Sequence, residues 1–218
     1  MSSGIFIHNN SGFVVIDQNF SNYMLVHEGV TNTGVVVNFP AQNSGVAIFV
    51  GHTPNNSQVA LLSATNSSFV LRGTTSQISS QSLLTFSISF RVYALISANT
   101  PHSSFGLNVN NAAGVRTFSS DARYPLVNQV THYTAPSTAR ITLTIPSGSP
   151  FVSIGETLAL SAAISPFGTP MGFVLQPAYD IKSSAVVVGS SITDISYPGG
   201  KGEENYRHNS CNLVSLRM

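Results

Sequence analysis

Apolar and polar residues alternate with a period of two along most of this chain, the spacing typical of half-buried β-strands. The clearest example covers residues 84–92, and residues 141–145 alternate in the same way before Pro146, which cannot continue a strand ladder. The first of these segments predicts one long strand whose apolar side chains face a core: Leu84, Phe86, Ile88, Phe90 and Val92.

Clusters of Gly, Pro, Asn and Ser separate further short apolar segments, as turns separate strands. Residues 157–164 are the single stretch with a helical interpretation, and they fit a strand equally well. We therefore expect an all-β fold with very little helix. The remaining predicted strands are 23–26, 34–39, 45–50, 58–62, 69–72, 173–176, 185–188 and 212–216.

One short pattern occurs twice, at residues 4–17 and again 102 positions later at residues 106–119. Each copy reads as a strand, a tight Asn/Gly turn and a second strand, which predicts a β-hairpin. Apolar residues also fill matching positions in both copies. The recurring turn and end residues are Gly4, Asn9 and Gly12 in the first copy and Gly106, Asn111 and Gly114 in the second.

The repeat predicts two β-sandwich-like domains that each open with the same hairpin. A small-polar stretch at residues 98–104 is the predicted linker. The N-terminal domain would cover residues 1–97 and the C-terminal domain residues 105–218. The sequence leaves open whether the halves form separate sandwiches or one continuous body.

Composition restricts the functional classes. Charged residues make up 8% of the chain, well below the roughly 25% usual in soluble domains, and the net charge is +1. The nine Lys and Arg are scattered, which argues against nucleic-acid binding. Hydroxyl and amide side chains instead make the surface polar (33 Ser, 17 Thr and 18 Asn). Such a surface suits a particle in which neighbouring copies cover one another.

The chain opens without a signal-peptide pattern and has no apolar run near the ~18 residues of a membrane helix. Its single cysteine, Cys211, cannot form an internal disulfide and is expected to be a buried thiol. We expect synthesis in a cytoplasm and no membrane span.

Catalytic patterns are absent from the sequence. The six histidines include no closely spaced metal pair, no Gly-x-Ser-x-Gly nucleophile motif occurs, and the eight carboxylates are mostly isolated. We therefore predict a protein that is not an enzyme and uses no cofactor or metal. Shallow sugar binding by tyrosines is an alternative, against ordinary core packing of the same residues: Tyr93, Tyr124, Tyr133, Tyr179, Tyr197 and Tyr206.

The final 25 residues carry six of the seventeen charges. They surround a Gly-rich loop at 198–202, and a charged loop in an otherwise uncharged protein is a candidate contact surface. The alternative is a solvated loop near a terminus. The candidate contact residues are Tyr197, Lys201, Glu203, Glu204, Tyr206 and Arg207.

The opening Gly-aliphatic-x-aliphatic-x-Asn-x-x-Gly pattern, followed by Val15-Ile16-Asp17, resembles the start of small tail-associated proteins of tailed bacteriophages. Those proteins also repeat the hairpin about a hundred residues on, after an alternating aromatic strand like residues 86–93. Their second copy ends Phe-Asp-Ser, whereas this chain has Phe118-Ser119-Ser120.

The resemblance implies a structural virion protein of the tail tip, baseplate or tail fibre that contributes to host attachment. It would be made in the bacterial cytoplasm and assemble with other tail proteins, as a homo-oligomeric trimer or ring. The alternative function is a carbohydrate- or receptor-binding module in the C-terminal half, with a host receptor or polysaccharide as its ligand.

Overall fold

A computed structural model describes residues 6–8, 14–17, 22–75, 82–97, 106–134, 141–154, 160–163, 172–196 and 210–217. Their regular structure consists of β-strands, with no helix among these residues. In chain order the strands are β1 (Phe6–His8), β2 (Val14–Asp17), β3 (Tyr23–Asn32), β4 (Val36–Asn38), β5 (Val46–Val50), β6 (Ser57–Ala64), β7 (Ser68–Thr75), β8 (Leu83–Leu84), β9 (Ser87–Leu95), β10 (Asn108–Asn110), β11 (Arg116–Ser119), β12 (Val127–Thr134), β13 (Ile141–Thr144), β14 (Phe151–Ser153), β15 (Leu160–Ala163), β16 (Gly172–Ile181), β17 (Ala185–Ser196) and β18 (Ser210–Leu216).

The strands form two large antiparallel sheets and two separate hairpins. One sheet has six strands in the order β12-β18-β14-β5-β9-β3. The other has eight, in the order β13-β17-β16-β6-β7-β4, with β15 paired to β16 and β8 paired to β7. Strands β1 and β2 form hairpin 1, and β10 and β11 form hairpin 2.

The order of the six-stranded sheet repeats itself about its centre. Strands β5, β9 and β3 of the first half are mirrored by β14, β18 and β12 of the second, each nine strands further along the chain. The two sets meet where β5 pairs with β14, at Val50 opposite Val152. These two valines are 102 residues apart, the same offset as the two hairpins. The duplication visible in the hairpins therefore extends into the sandwich as a repeated strand order.

A single apolar core lies between the two sheets. It includes Val92 and Val152 from the six-stranded sheet and Leu71 and Ile181 from the eight-stranded sheet, all fully buried. Each sheet contributes side chains from both halves of the chain, so the two halves are stabilised by the same buried surface.

The two halves therefore form one continuous body, the alternative that the sequence left open. Both sheets contain strands from both sides of the predicted boundary, through the β5–β14 pair and the β6–β16 pair at Val59 and Tyr179. The reason is that each half leaves a strand edge that the other half pairs with, which satisfies backbone groups that would otherwise be exposed. The predicted linker, residues 98–104, lies outside the described residues.

Most strand predictions are confirmed with changed lengths, and one predicted strand is divided. Residues 83–84 pair with β7 in the eight-stranded sheet, while 87–95 form β9 in the six-stranded sheet. At the crossing, the Phe86 amide donates to Thr33 Oγ1 (3.2 Å). The predicted core side chains Ile88, Phe90 and Val92 are buried. Residues 160–163 of the ambiguous segment form strand β15, and strands β12 and β14 were not predicted.

Candidate functional site

The candidate contact surface near the C-terminus lies outside the described residues. That applies to all six of its members: Tyr197, Lys201, Glu203, Glu204, Tyr206 and Arg207. The charged loop therefore stays a prediction, and the candidate site is built here from the side chains that the structure describes.

The described tyrosines of the sugar-binding alternative are used for packing. Tyr93, Tyr133 and Tyr179 are buried, and the hydroxyls of the last two lie 3.2 Å apart inside the core. Tyr124 donates its hydroxyl to the Ser119 carbonyl (2.6 Å) and accepts from the Ser119 amide (2.8 Å). The three buried tyrosines present no open ring face for a sugar, and the Tyr124 ring is stacked on Phe118. Tyr197 and Tyr206 lie outside the described residues.

Hairpin 2 has the turn that its sequence predicts. The Gly114 amide donates to the Asn111 carbonyl (2.9 Å), and Gly114 has a left-handed φ of 76°. Asn111 Oδ1 accepts from the amides of Ala113 (3.0 Å) and Val115 (2.9 Å). Asn at the first position and Gly at the left-handed position are therefore set by turn geometry. The equivalent turn of hairpin 1 lies outside the described residues.

The open end of hairpin 2 is closed by Gly106 and Ser120. Leu107 donates its amide to Ser120 Oγ (2.9 Å), and the Ser120 amide donates back to the Leu107 carbonyl (2.8 Å). Gly106 has a φ of 112°, and a Cβ there would lie 2.3 Å from Ser120 Oγ. The glycine is therefore required for closure. Ser120, the serine of the incomplete Phe-Asp-Ser match, is therefore the residue that closes the hairpin.

The two hairpins share their register as well as their sequence. Phe6 pairs with Asp17 and Asn108 with Ser119, and each hairpin has a bulge before its third residue pair. Strands β2 and β11 also contact each other. The repeated pattern is thus one bulged hairpin made twice, and the two copies lie side by side.

Hairpin 2 is docked onto the edge strand β3 by main-chain bonds. The Asn22 amide and its Nδ2 both donate to the Thr117 carbonyl (3.2 and 3.1 Å). Further along, Leu25 donates its amide to the Arg123 carbonyl (2.7 Å). These bonds use backbone groups of the open edge of β3, which we call the β3 margin.

Three charged side chains reinforce this docking, and we call them the hairpin clamp: Glu28, Arg91 and Arg123. Arg123 donates to both carboxylate oxygens of Glu28, and Arg91 Nε lies 3.3 Å from Glu28 Oε2. Arg91 in turn lies over the Phe151 ring, 4.4 Å from its centroid. The clamp connects β3, β9 and the segment after hairpin 2.

The contact between Glu28 and Arg123 shifts the pKa values of both partners. Hydrogen bonding by Arg123, with the positive charges of Arg123 and Arg91, lowers the pKa of Glu28, and the same contact raises the pKa of Arg123. Burial raises the pKa of Tyr124. Because the clamp is largely exposed, each ion pair is expected to contribute only about 0.2–1 kcal/mol.

A second polar cluster joins loop 51–56 to the turn after β16. Thr53 Oγ1 donates to Asp180 Oδ1 (3.0 Å) and accepts from the Ile181 amide (3.0 Å). Lys182 Nζ lies 2.8 Å from Asp180 Oδ1 and donates to the Pro54 carbonyl (3.1 Å). These contacts join loop 51–56 to the end of β16 and to Lys182 directly after it, so the cluster stabilises the fold.

A histidine and a serine lie close together but are not arranged for catalysis. His52 Nε2 is 3.1 Å from the Ser149 carbonyl, not from its hydroxyl. Ser149 Oγ donates to the Pro146 carbonyl (2.8 Å) and accepts from Asn128 Nδ2 (2.9 Å). A nucleophile needs its hydroxyl on a base, and this hydroxyl is committed to a turn.

Among the surface cavities lined by described residues, one has a volume of about 510 Å³ and another about 360 Å³. The larger lies between β5 and β6 at one end of the sandwich, and its polar rim includes Asn66 and Ser153. Asn66 Nδ2 already donates to the Gln42 carbonyl (2.9 Å), and Ser153 Oγ accepts from the Val214 amide (2.8 Å). These polar groups are engaged within the chain, so the cavity offers little to orient a ligand.

The four outer strands of the two sheets are protected very unequally. Natural sheets protect edges with short strands, charges or covering segments. Strands β4 and β13 are three and four residues long, and β3 is covered by hairpin 2 and carries Glu28. Strand β12 has eight residues, no Lys, Arg, Asp, Glu or Pro, and one hydrogen-bonded neighbour, β18, among the described strands. We call its outer edge the β12 margin.

The β12 margin also exposes apolar side chains. Val127 is 51% exposed and Val130 is 57% exposed. Their ladder partners Leu216 and Val214 belong to the apolar cluster on the outer face of the six-stranded sheet. The two valines therefore extend that cluster to the border of the sheet. This is the candidate interaction site.

Comparison with known proteins adds no identification. No protein-family model, no characterised protein and no solved structure matches the chain. In the described part of the chain, no set of three or more His, Cys, Asp or Glu side chains is placed to hold a metal ion. None of the described residues forms a helix long and apolar enough to cross a membrane.

Proposed function

We propose that this protein is a non-enzymatic structural component of a bacteriophage tail, in the tail tip, baseplate or tail fibre. In that setting it contributes to host attachment, works within the virion after synthesis in the bacterial cytoplasm, and packs against other tail proteins. It assembles as a homo-oligomer, with a trimer or a ring as the expected forms.

The observation that carries the proposal is the duplicated hairpin. The pattern that resembles tail-associated proteins forms the same bulged register at both sites, Phe6 opposite Asp17 and Asn108 opposite Ser119. In the second copy, the residues of that pattern close and dock the hairpin. A repeated motif that forms a hairpin and fixes it to the sheet has a structural role, as expected for a scaffold subunit.

The use of charge supports the same proposal. Among the described residues, Glu28, Arg91 and Arg123 hold hairpin 2, while Asp180 and Lys182 hold loop 51–56 against the end of β16. An enzyme of surface polysaccharides would need a carboxylate pair facing a groove. The described carboxylates named here serve packing instead.

The direct test is the composition of purified virions. We expect mass spectrometry to detect the polypeptide in particles purified by density gradient, and antibody-linked gold to label the tail. Detection only in the soluble fraction of infected cells would contradict the proposal. An outer-capsid protein of the same particle serves as the labelling control.

The carbohydrate- or receptor-binding alternative is tested with the full chain on a glycan array and on host cells. The C-terminal half is not a suitable probe, because it shares both sheets with the N-terminal half. Saturable binding to host polysaccharide would favour the alternative. Release of reducing ends from that polysaccharide would contradict the non-enzymatic assignment.

A further inference from the structure

We propose that the β12 margin pairs with the β12 margin of a second copy of this chain, antiparallel and about a two-fold axis. This interface goes beyond the tail function, since it is a property of the isolated chain and its test requires no virion.

The first argument compares equivalent positions in the duplicated sheet. The bulge between Leu25 and His27 in β3 matches the bulge between Val127 and Gln129 in β12, so the Glu28–Arg91 pair corresponds to the Val130–Val214 pair. The second half therefore has neither the carboxylate nor the arginine with which the first half builds its clamp. The device that covers the β3 margin is not repeated at the β12 margin.

The second argument concerns burial at the same equivalent positions. Leu25 pairs with Tyr93 directly before the bulge in the first half, and Val127 pairs with Leu216 directly before the bulge in the second. Leu25 is partly buried against the outer apolar cluster, beside the Arg123 segment, whereas Val127 is 51% exposed. The same position of the fold is covered in one half and open in the other.

A second copy is the occupant that the chemistry of this strand favours. Opposite itself in antiparallel orientation, β12 brings no like charges together, and the net charge of +1 gives little repulsion between copies. An eight-residue strand offers about 27 Å of edge. Two-fold pairing also puts Val127 and Val130 of both copies on one face, where cross-strand β-branched pairs are stabilising.

Pairing through one strand buries a small interface, so dissociation constants on the order of micromolar are expected for the free chain. The product is a twelve-stranded sheet shared by two sandwiches. This pair is a closed, isologous unit, from which an even-membered ring can be built.

The test is analytical ultracentrifugation of the full chain from about 5 to 500 µM, a range around that affinity. We expect reversible dimers for the wild type. Val130→Lys should raise the dimer dissociation constant at least about tenfold, because two like charges would oppose each other across the axis. Val30→Lys is the matched control, since Val30 is an exposed valine on β3 at the other border of the same sheet. It should leave the dimer unchanged.

A charge-reversal pair keeps the test decisive. Val130→Glu alone should also raise the dimer dissociation constant, and mixing it with Val130→Lys should restore dimers, because a two-fold interface places the two positions close together. Circular dichroism spectra and melting curves establish that each variant is folded, and Val127→Lys replaces any that is not. A monomeric wild type, loss of dimers in Val30→Lys, or failure of the mixture to associate would overturn the proposal.

Discussion

The two outer strands of the six-stranded sheet, β3 and β12, hold equivalent places in the strand order. Among the described residues, hairpin 2 covers part of the β3 margin, whereas the β12 margin exposes apolar side chains. At the β3 margin, main-chain bonds from Asn22 and Leu25 and the Glu28–Arg123 contact hold hairpin 2 in place. At the β12 margin, Val127 and Val130 are exposed and no charged residue lies on the strand. The difference shows how a duplicated fold acquires one closed and one open border.

The largest expected effect comes from core substitutions, which test whether the two halves of the chain unfold together around one shared core. Phe90→Ala on β9, next to β3, and Leu213→Ala on β18, next to β12, should each lower the free energy of unfolding by about 2–5 kcal/mol, because both side chains are buried in the shared cluster. Denaturant unfolding should remain one transition in both variants. Two transitions, with each substitution shifting only one of them, would show that the halves are independent.

The next largest effect is expected from a substitution that disrupts the closure of hairpin 2 at the β3 margin. Gly106→Ala should destabilise hairpin 2 by about 1–3 kcal/mol, because the residue has a left-handed φ and its Cβ would clash with Ser120 Oγ. Gly114→Ala is the control, since it has a similar φ sign but no atom within 4 Å of the added Cβ. Hydrogen exchange of residues 107–119 should accelerate more in the first variant. Equal acceleration would contradict the role given to closure.

A smaller effect comes from the tyrosine that completes hairpin 2. Tyr124→Phe removes the hydroxyl that bonds both main-chain groups of Ser119 but keeps the ring stacked on Phe118. We expect a loss of about 0.5–1.5 kcal/mol, seen as faster exchange of the Ser119 amide. Unchanged exchange there would mean that the hydroxyl does not hold the end of β11.

The smallest expected effect is the acid response of the hairpin clamp. The folded pKa of Glu28 is lowered, so its stabilisation is fully present above the unfolded value near 4.5 and is lost as pH falls through the folded pKa. Glu28→Gln should abolish this part of the acid response, at a cost under about 1 kcal/mol at neutral pH. Chemical-denaturation curves between pH 2.5 and 7 provide the measurement. An identical pH dependence in the variant would exclude the clamp as its source.

The sequence predicted the features that depend on residues close together in the chain, namely buried strand positions and a hairpin turn. The alternation around Ile88, Phe90 and Val92 predicted their burial, and Asn111 and Gly114 predicted the turn of hairpin 2. In each case, the residues that make the structure are neighbours in sequence.

Structure that depends on distant residues could not be predicted in the same way. Glu28 and Arg123 are 95 positions apart, and each looks like an isolated surface charge in the sequence. Strand β12 was missed because Gln129 and Thr131 occupy its inner face while Val130 is exposed, which hides the usual alternation. The pairing of β5 with β14 at Val50 and Val152 could not be predicted either, because pairing between the two halves leaves no local pattern in the sequence.

Hydrogen exchange of β12 as a function of protein concentration tests the open border most directly. Exchange of the amides in residues 128–134 should slow as the chain is concentrated from about 5 to 500 µM, while exchange in β3 stays constant. Slowing confined to β12 is the predicted result. Exchange in β12 that is independent of concentration, or slowing that occurs in β3 instead, would contradict the account.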